Sequence, residues 1–378
     1  MSTIDLKALP EPVFVEIDYE QILQECKEAW ESVTGQPLLP AQLERLIIDI
    51  IAYRENVLRI VINEAAKQNL LAFAKGEVLD HLGALLGVKR LPAQPALTIL
   101  RFEFEEQLPI PLLIPKGTEV RSSDNQVTFQ TKEDVTASAG SEYVDVWAEC
   151  TEVGPIGNGY IAGTINQLVN PLPYVSKVYN ITITAGGVEL EDDDHFRERI
   201  QLAPETFSNA GSKGAYIFWA KTAHPDIVDV AVESPDPGVV NVYPLLKNGV
   251  IPGEDILSLV AEILNDDKIR PLTDKVQVLP PEAVSFDIDV EIYLYQNFAS
   301  LAESIKAEAE ERLNTYAEAL KNSLGRDIVP EQIVNLVQSI PGVYRAVVKS
   351  PETCQVLTPK QVAVVNLISV NIIGAVDG

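Results

Sequence analysis

The chain has 378 residues, 46% of them hydrophobic and 22% charged, an ordinary globular composition that excludes a mainly disordered protein and predicts two or three domains at ~100–200 residues each. Its 55 acidic and 29 basic residues give a net charge of −26, which repels phosphate backbones and anionic bilayers and makes nucleic acid and membranes poor partners. Basic protein surfaces are the electrostatically favoured neighbours.

Cys26, Cys150 and Cys354 form no CxxC pair and are odd in number, so reduced thiols in a cytosol-made protein are expected. The opening MSTIDLKALPEPVFVEID lacks the apolar core of a signal peptide. Two stretches carry no charge. Val153–Ser176 holds three prolines and four glycines, and Gln361–Val376, at 16 residues, falls short of the ~20 that a spanning helix needs.

Along the chain, Asp18 with Gln21 resembles a capping box, and Ile22, Cys26, Trp30 and Val33 recur at helical spacing up to Gly35. Ala41–Lys75 contains no Gly or Pro and predicts one helix of 35 residues, ~52 Å long, with Gly76 as its stop. One apolar seam runs through Leu43, Ile47, Ile50, Val57, Val61 and Leu71, interrupted by Arg54, Glu64 and Gln68. A second seam beside it carries Ile48, Ile51, Leu58, Ile62, Ala65 and Ala72. Two adjacent seams make a broader stripe than a two-stranded coiled coil uses. The one comparable helix nearby, Asp18–Thr34, is half as long and too short to cover both. The expected interface residues are therefore Leu43, Ile47, Ile50, Ile51, Arg54, Val57, Leu58, Val61, Ile62 and Ala65, in a bundle shared with other chains.

From Leu97 to Ile183 the period falls to two. Thr98, Leu100, Phe102 and Phe104 alternate with Ile99, Arg101 and Glu103, and Val144, Val146 and Ala148 alternate with Asp145 and Trp147. Turn signals at Pro115-Lys116-Gly117, Ser123-Asp124-Asn125, Gly154-Pro155 and Gly186-Gly187 punctuate this β-rich region. Beyond it, Glu189–Arg199 is an acidic run leading into a helix. Further helices are expected at Gly214–Ala223, Glu254–Leu264, Leu301–Asn322 and Glu331–Ile340. Strands are expected at Ile227–Glu233, Val239–Tyr243, Val284–Tyr295, Val343–Lys349 and Val362–Ile372. HPDIVDVAVESP at His224–Pro235 and IPGVYRAVVKSP at Ile340–Pro351 align without gaps, a candidate internal repeat of helix–strand–strand units.

The whole reads as an α+β multidomain chain. A long-helix region occupies 1–92, a β-rich domain 93–188 and a mixed α+β region 189–378, divisible into 189–295 and 296–378.

Chemistry-bearing patterns are sparse. His195 follows Asp192-Asp193-Asp194, but no second His or Cys lies close in sequence, so a capped helix start is favoured over a metal site. His81 reads as a surface helix position, and His224, before Pro225, as a partly cationic ring at a helix C-terminus. The glycines of Gly154–Gly159 have the wrong order for a dinucleotide loop, and Gly211–Gly214 lacks the ending of a phosphate loop. No G-x-S-x-G elbow occurs. No catalytic, metal-binding or cofactor-binding residue is expected.

Ala52–Arg90 nonetheless carries a recognisable order: Tyr53-Arg54-Glu55, Asn63-Glu64-Ala65-Ala66, Gly76, Leu79-Asp80 and Gly87-Val88-Lys89-Arg90. It resembles the N-terminal signature of the baseplate J family, wedge proteins of contractile phage tails and related injection machines. The opening IDLKALPEP, DYEQIL and CKEAW is similar to the P2-type members. IPKGTEV (Ile114–Val120), GPIGN (Gly154–Asn158), the acidic run before FRER and SKGAYIFWA (Ser212–Ala220) follow in family order. The resemblance implies a structural subunit without catalytic residues or cofactor, sited in the baseplate of a virion tail or tail-like particle and made in the host bacterial cytoplasm. It implies a second copy of the chain within a wedge, a helix bundle with neighbouring wedge subunits (tail protein I-like and sheath-initiator-like), and a ring around the central hub and spike. No nucleic-acid or membrane partner is implied. Two other classes compete. A carbohydrate-binding adhesin module would need exposed aromatics clustered on one face, and a metal-dependent hydrolase would need the Asp192–His195 cluster.

Overall fold

In the computed structural model, which describes residues 5–207 and 211–376, the Asp18 carboxylate accepts from the Gln21 N–H at 3.1 Å and starts helix α1, Tyr19–Thr34. The Gln21 amide turns forward to Glu25, so only the first half of the capping box forms. Helix α2, Leu43–Lys67, has 25 residues and extends ~37 Å, shorter than the sequence predicts. Side-chain amides end it. Asn69 donates to the carbonyls of Ala65 and Ala66, and Gln68 spans the following turn, accepting from the Lys75 N–H at 3.0 Å. Gly76 therefore opens helix α3, Gly76–Leu85, with φ +53°, where the sequence reading had it as the stop of the preceding helix.

Contacts divide the chain into two compact units. One is Met1–Arg90 with Phe196–Gln201, the other Leu91–His195 with Leu202–Gly378. In the first, a segment distant in sequence is drawn in. Phe196 lies against Gly83 with Arg90 4.7 Å over its ring, and Arg197 donates to the carbonyls of Leu71 and Ala74 at 2.8 Å each.

The second unit begins with strands β1 (Pro95–Phe104), β2 (Leu112–Ile114), β3 (Glu119–Ser122), β4 (Thr128–Thr131), β5 (Val135–Ala137), β6 (Tyr143–Val153), β7 (Ile165–Leu168) and β8 (Val175–Asn180). Six of them form a sheet in the order β7-β3-β4-β6-β1-β8. The expected alternation holds: Thr98, Leu100, Phe102 and Phe104 are buried, as are Val146 and Ala148, while Trp147 is half exposed. The two ends of the sheet meet through Asn180. Its buried amide accepts from the Ile165 N–H at 2.9 Å and donates to the Ile161 carbonyl at 3.0 Å, closing a barrel.

Helix α4, Asp193–Leu202, follows the barrel, and then come α5 (Lys213–Ala223), β9 (Ile227–Glu233), β10 (Val239–Leu246), α6 (Glu254–Leu264) and β11 (Lys275–Val278), with sheet order β11-β10-β9. The chain ends with β12 (Glu282–Tyr295), α7 (Ala302–Lys321), α8 (Pro330–Gln338), β13 (Val343–Ser350) and β14 (Gln361–Val376), in sheet order β13-β12-β14. Ile305, Leu313 and Leu320 of α7 and Ile333 and Val337 of α8 bury one face of this sheet against Ile288, Val290 and Ile292. The predicted elements Ile227–Glu233 and Glu254–Leu264 match to the residue. The two segments of the candidate repeat both run from a helix end into a strand, but the pairing that follows differs. β9 pairs with β10, the next strand, whereas β13 pairs with the earlier β12 and β14 lies on the far side of β12.

Candidate partner interface

In the first unit α1 covers only one flank of α2. Ile48 and Ala52 are buried against Ile22, Leu23 and Leu38, with Cys26 and Trp30 packed beside them. Ile48, a member of the second predicted seam, thus serves the chain's own core. The arm before α1 lies along the C-terminal half of α2. Buried Asn63 holds Phe14 and Val15 by their backbone, Arg59 reaches the Glu16 carbonyl, and Lys67 is paired with Glu11 and Glu64.

The rest of α2 faces outward. Leu43 is 71% exposed, Ile50 61%, Val61 55% and Leu58 54%, and Ile47, Ile51, Arg54, Ile62 and Ala65 are exposed as well, while Val57 is half-buried. Leu46, Tyr53 and Ile60 join them, and the two-seam reading missed these three. Their spacing of seven is the signal in the sequence that could have marked a third seam. At ~100° per residue, the exposed apolar side chains from Ile60 round to Ile62 span ~200° of the helix. A shallow groove of about 330 Å³ lined by Cys26, Trp30, Val33, Ile48 and Ile51 continues this surface onto α1. Burial, then the neighbouring Glu55 carboxylate, pushes the Cys26 thiol up and leaves it protonated and unreactive.

The candidate chemistry is engaged elsewhere. Asp192 accepts the His195 N–H at 2.8 Å and so caps α4, and it also faces Lys247 at 3.3 Å. Burial acts to raise the Asp192 pKa, but the His195 N–H and Lys247 outweigh it and hold the carboxyl below its usual range. The His195 ring is buried between the Glu191 carboxyl, 2.5 Å from Nδ1, and the Ile227 carbonyl, 2.9 Å from Nε2. A carbonyl only accepts, so Nε2 carries a proton there. His81 is exposed on α3. His224 corrects the sequence reading: it is buried, its Nδ1 accepts the Asp226 N–H at 3.2 Å, and burial pushes its pKa down, so the ring is neutral where a partly cationic one was expected. On the barrel, Tyr143 and Trp147 share the outer face of β6, but the Tyr143 ring is covered by Arg101 at 4.1 Å, itself paired with Asp145, so no open aromatic platform forms there.

The residues that carry the sequence signature hold turns and closures. Asp80 pairs with Arg90 at 2.8 Å and Leu79 is fully buried. Asn158 of GPIGN exchanges two hydrogen bonds with Gly187, whose missing Cβ would stand 2.3 Å from the Gly154 carbonyl. Arg199 of FRER reaches the Lys89 carbonyl, and Ser212 of SKGAYIFWA caps α5.

Four described domains match the chain in order. The Baseplate J-like N-terminal domain matches residues 45–96, the Baseplate J-like protein barrel domain 99–187, the Baseplate J-like central domain 208–280 and the Baseplate J-like protein C-terminal domain 286–371. Baseplate protein J of Escherichia phage P2 is 28% identical over 372 residues, covering 96% of this chain and 95% of that protein. Among solved structures, a chain of the 6-fold symmetrised cryo-EM structure of the anti-feeding prophage baseplate is similar at 14% identity and a TM-score of 0.47, over 96% of each chain.

Proposed function

The chain belongs to the baseplate J-like family, and on that premise we propose that it is a wedge subunit of a contractile-tail baseplate, joined to its neighbours through the open face of α2. It is a structural baseplate component of a phage or tail-like particle, and it acts by assembly without catalysing a reaction. The observation that carries the reading is the width of the exposed stripe. A packed helix covers a face of ~100°, and α2 leaves ~200° of apolar surface open after α1 has taken its share. Two further helical surfaces are needed to cover it. A second copy of this chain and a helix of a neighbouring wedge subunit supply them, and the C-terminal half of the chain contributes to a ring around the hub. The interface residues are Leu43, Ile47, Ile50, Ile51, Arg54, Val57, Leu58, Val61, Ile62 and Ala65, with Leu46, Tyr53 and Ile60 added on the far flank.

The test is the double variant Ile51→Asp with Leu58→Asp, expressed with the rest of its baseplate operon. Both residues are exposed in the isolated chain, so its folding is unchanged, while two carboxylates buried in a bundle prevent assembly. The variant should run as a folded chain and fail to co-purify with wedge partners. Co-purification at the wild-type level would sink the reading.

A further inference from the structure

Arg54 stands near the centre of the open face of α2. It is the twelfth of the helix's 25 residues, and at ~100° per residue it lies ~20° from the midline of the stripe that runs from Ile60 round to Ile62. Its neighbours three and four positions away, Ile50, Ile51, Val57 and Leu58, are all apolar. The other three basic residues of α2 are paired inside the chain: Arg45 with Asp49 at 2.9 Å, Arg59 with Glu55 at 2.5 Å, and Lys67 with Glu64 at 2.6 Å. Arg54 is exposed, and among the described residues its side chain forms no ion pair and no hydrogen bond.

A guanidinium at the rim of an interface keeps its water, whereas one at the centre loses it. Arginine does not become neutral there, and a buried charge without a partner is strongly destabilising. Whatever covers the midline must therefore bring acceptors to Arg54, and a carboxylate matches the planar fork best. Resting on the assembly reading above, we propose that the midline of α2 is covered by an apolar helix of a neighbouring subunit, not a copy of this chain, with one Asp or Glu opposite Arg54. The charges on the face argue against a second copy at this position. A parallel copy would set Arg54 against Arg54. In an antiparallel one the carboxylate nearest the midline is Glu64, which Lys67 already holds. A second copy is left to a flank of the stripe. At −26 the chain repels acidic surfaces at long range, so the partner's acid acts at contact. It fixes the register of the two helices, as a single polar residue does in a coiled coil.

The test uses the full-length chain expressed with the rest of its baseplate operon. Arg54→Leu should co-purify with its wedge partners at least about tenfold less than wild type, because it leaves the partner's carboxylate buried and unpaired. Arg54→Lys, which keeps the charge without the fork, should fall between the two. Both variants should keep the wild-type melting temperature, since the side chain is exposed in the isolated chain. Should Arg54→Leu aggregate through its enlarged apolar face, Arg54→Gln removes the charge in its place. In sedimentation the isolated Arg54→Leu chain should self-associate at least as strongly as wild type. Co-purification of Arg54→Leu at or above the wild-type level would overturn the proposal, since apolar surface would then be all that the partner reads. A lysine variant no better than the leucine variant would overturn a contact made through charge. Weaker self-association of Arg54→Leu would put the carboxylate on a second copy and overturn it too. The Ile51→Asp with Leu58→Asp variant separates this outcome from the assembly reading. If it blocks assembly and Arg54→Leu does not, only the pairing of Arg54 fails; if neither blocks assembly, the α2 interface itself fails.

Discussion

The side-chain amide of Asn63 holds the backbone of Val15 as a neighbouring strand would. Its Oδ1 accepts the Val15 N–H at 2.9 Å and its Nδ2 donates to the Val15 carbonyl at 2.7 Å. The same Oδ1 takes the Phe14 N–H at 2.8 Å. One buried side chain thereby satisfies three backbone groups of an arm that belongs to no helix or sheet, and it presents Val13, Phe14 and Ile17 exposed beside the α2 stripe. The Asn-Glu-Ala-Ala stretch of the sequence signature is in this light a clamp: Asn63 holds the arm and Glu64 holds Lys67, which in turn pairs with Glu11.

Replacing Asn63 with Leu keeps the branched shape and the number of side-chain heavy atoms and removes the clamp. Three hydrogen bonds at ~1 kcal/mol each set the loss at about 1–3 kcal/mol, part of it recovered because the freed arm returns to water. The Phe14 and Val15 amides should exchange with solvent at rates approaching those of an open chain, while amides of β1 and β6 stay protected. Unchanged protection at Phe14 and Val15 would show that the arm is held by something other than Asn63.

His195 anchors the start of α4 from inside the fold. Its ring lies between the Glu191 carboxyl and the Ile227 carbonyl, and Glu191 also accepts the Leu91 N–H at 2.8 Å. His195→Ala removes the partner of a buried carboxyl and should cost about 3 kcal/mol in urea unfolding. Divalent metals should shift the melting temperature of the wild type no more than that of the variant. A metal-dependent rise in the wild type that disappears in His195→Ala would restore the metal-site reading.

His224 makes stability depend on pH. Burial depresses the pKa of its folded ring, with Asp226 and Asp255 opposing, while the unfolded ring takes a proton near pH ~6.5. Below that pH the unfolded chain binds more protons than the folded one. The stability contributed by the neutral ring is therefore complete above ~6.5 and is lost as pH falls through the depressed folded pKa. Between pH 7 and pH 5, His224→Asn, whose Oδ1 can still accept the Asp226 N–H, should show a shallower fall in unfolding free energy than wild type. Identical slopes would show that folding does not lower the pKa of the ring.

Much of the fold was legible because it rests on short-range rules. The two-residue alternation of Thr98–Phe104 marks β1 and its buried face, and Asp18 marks a helix start through a bond to the residue three positions on. The early end of α2 was not legible, because it is set by Gln68 and Asn69 side chains folding back and by Arg197, some 125 residues away, donating to the Leu71 and Ala74 carbonyls. The neutral state of His224 was hidden for the same reason: position in sequence showed a helix end, and only packing showed that the ring is out of water.

By itself the sequence determined the periodicities, the caps, the charge and the ordered signature, and with them the family and the apolar stripe on α2. Tertiary structure alone decided which flank of that stripe the chain keeps for itself, that Ile48 and Ala52 go inward while Ile50 and Ile51 stay out, that Asn180 closes the barrel, and that β14 ends at an unpaired edge. The division has a physical cause. Helical and strand periods are fixed by backbone geometry within a few residues, whereas burial and hydrogen-bond closure depend on which distant segments arrive beside them, and a linear pattern of side chains does not encode that neighbour.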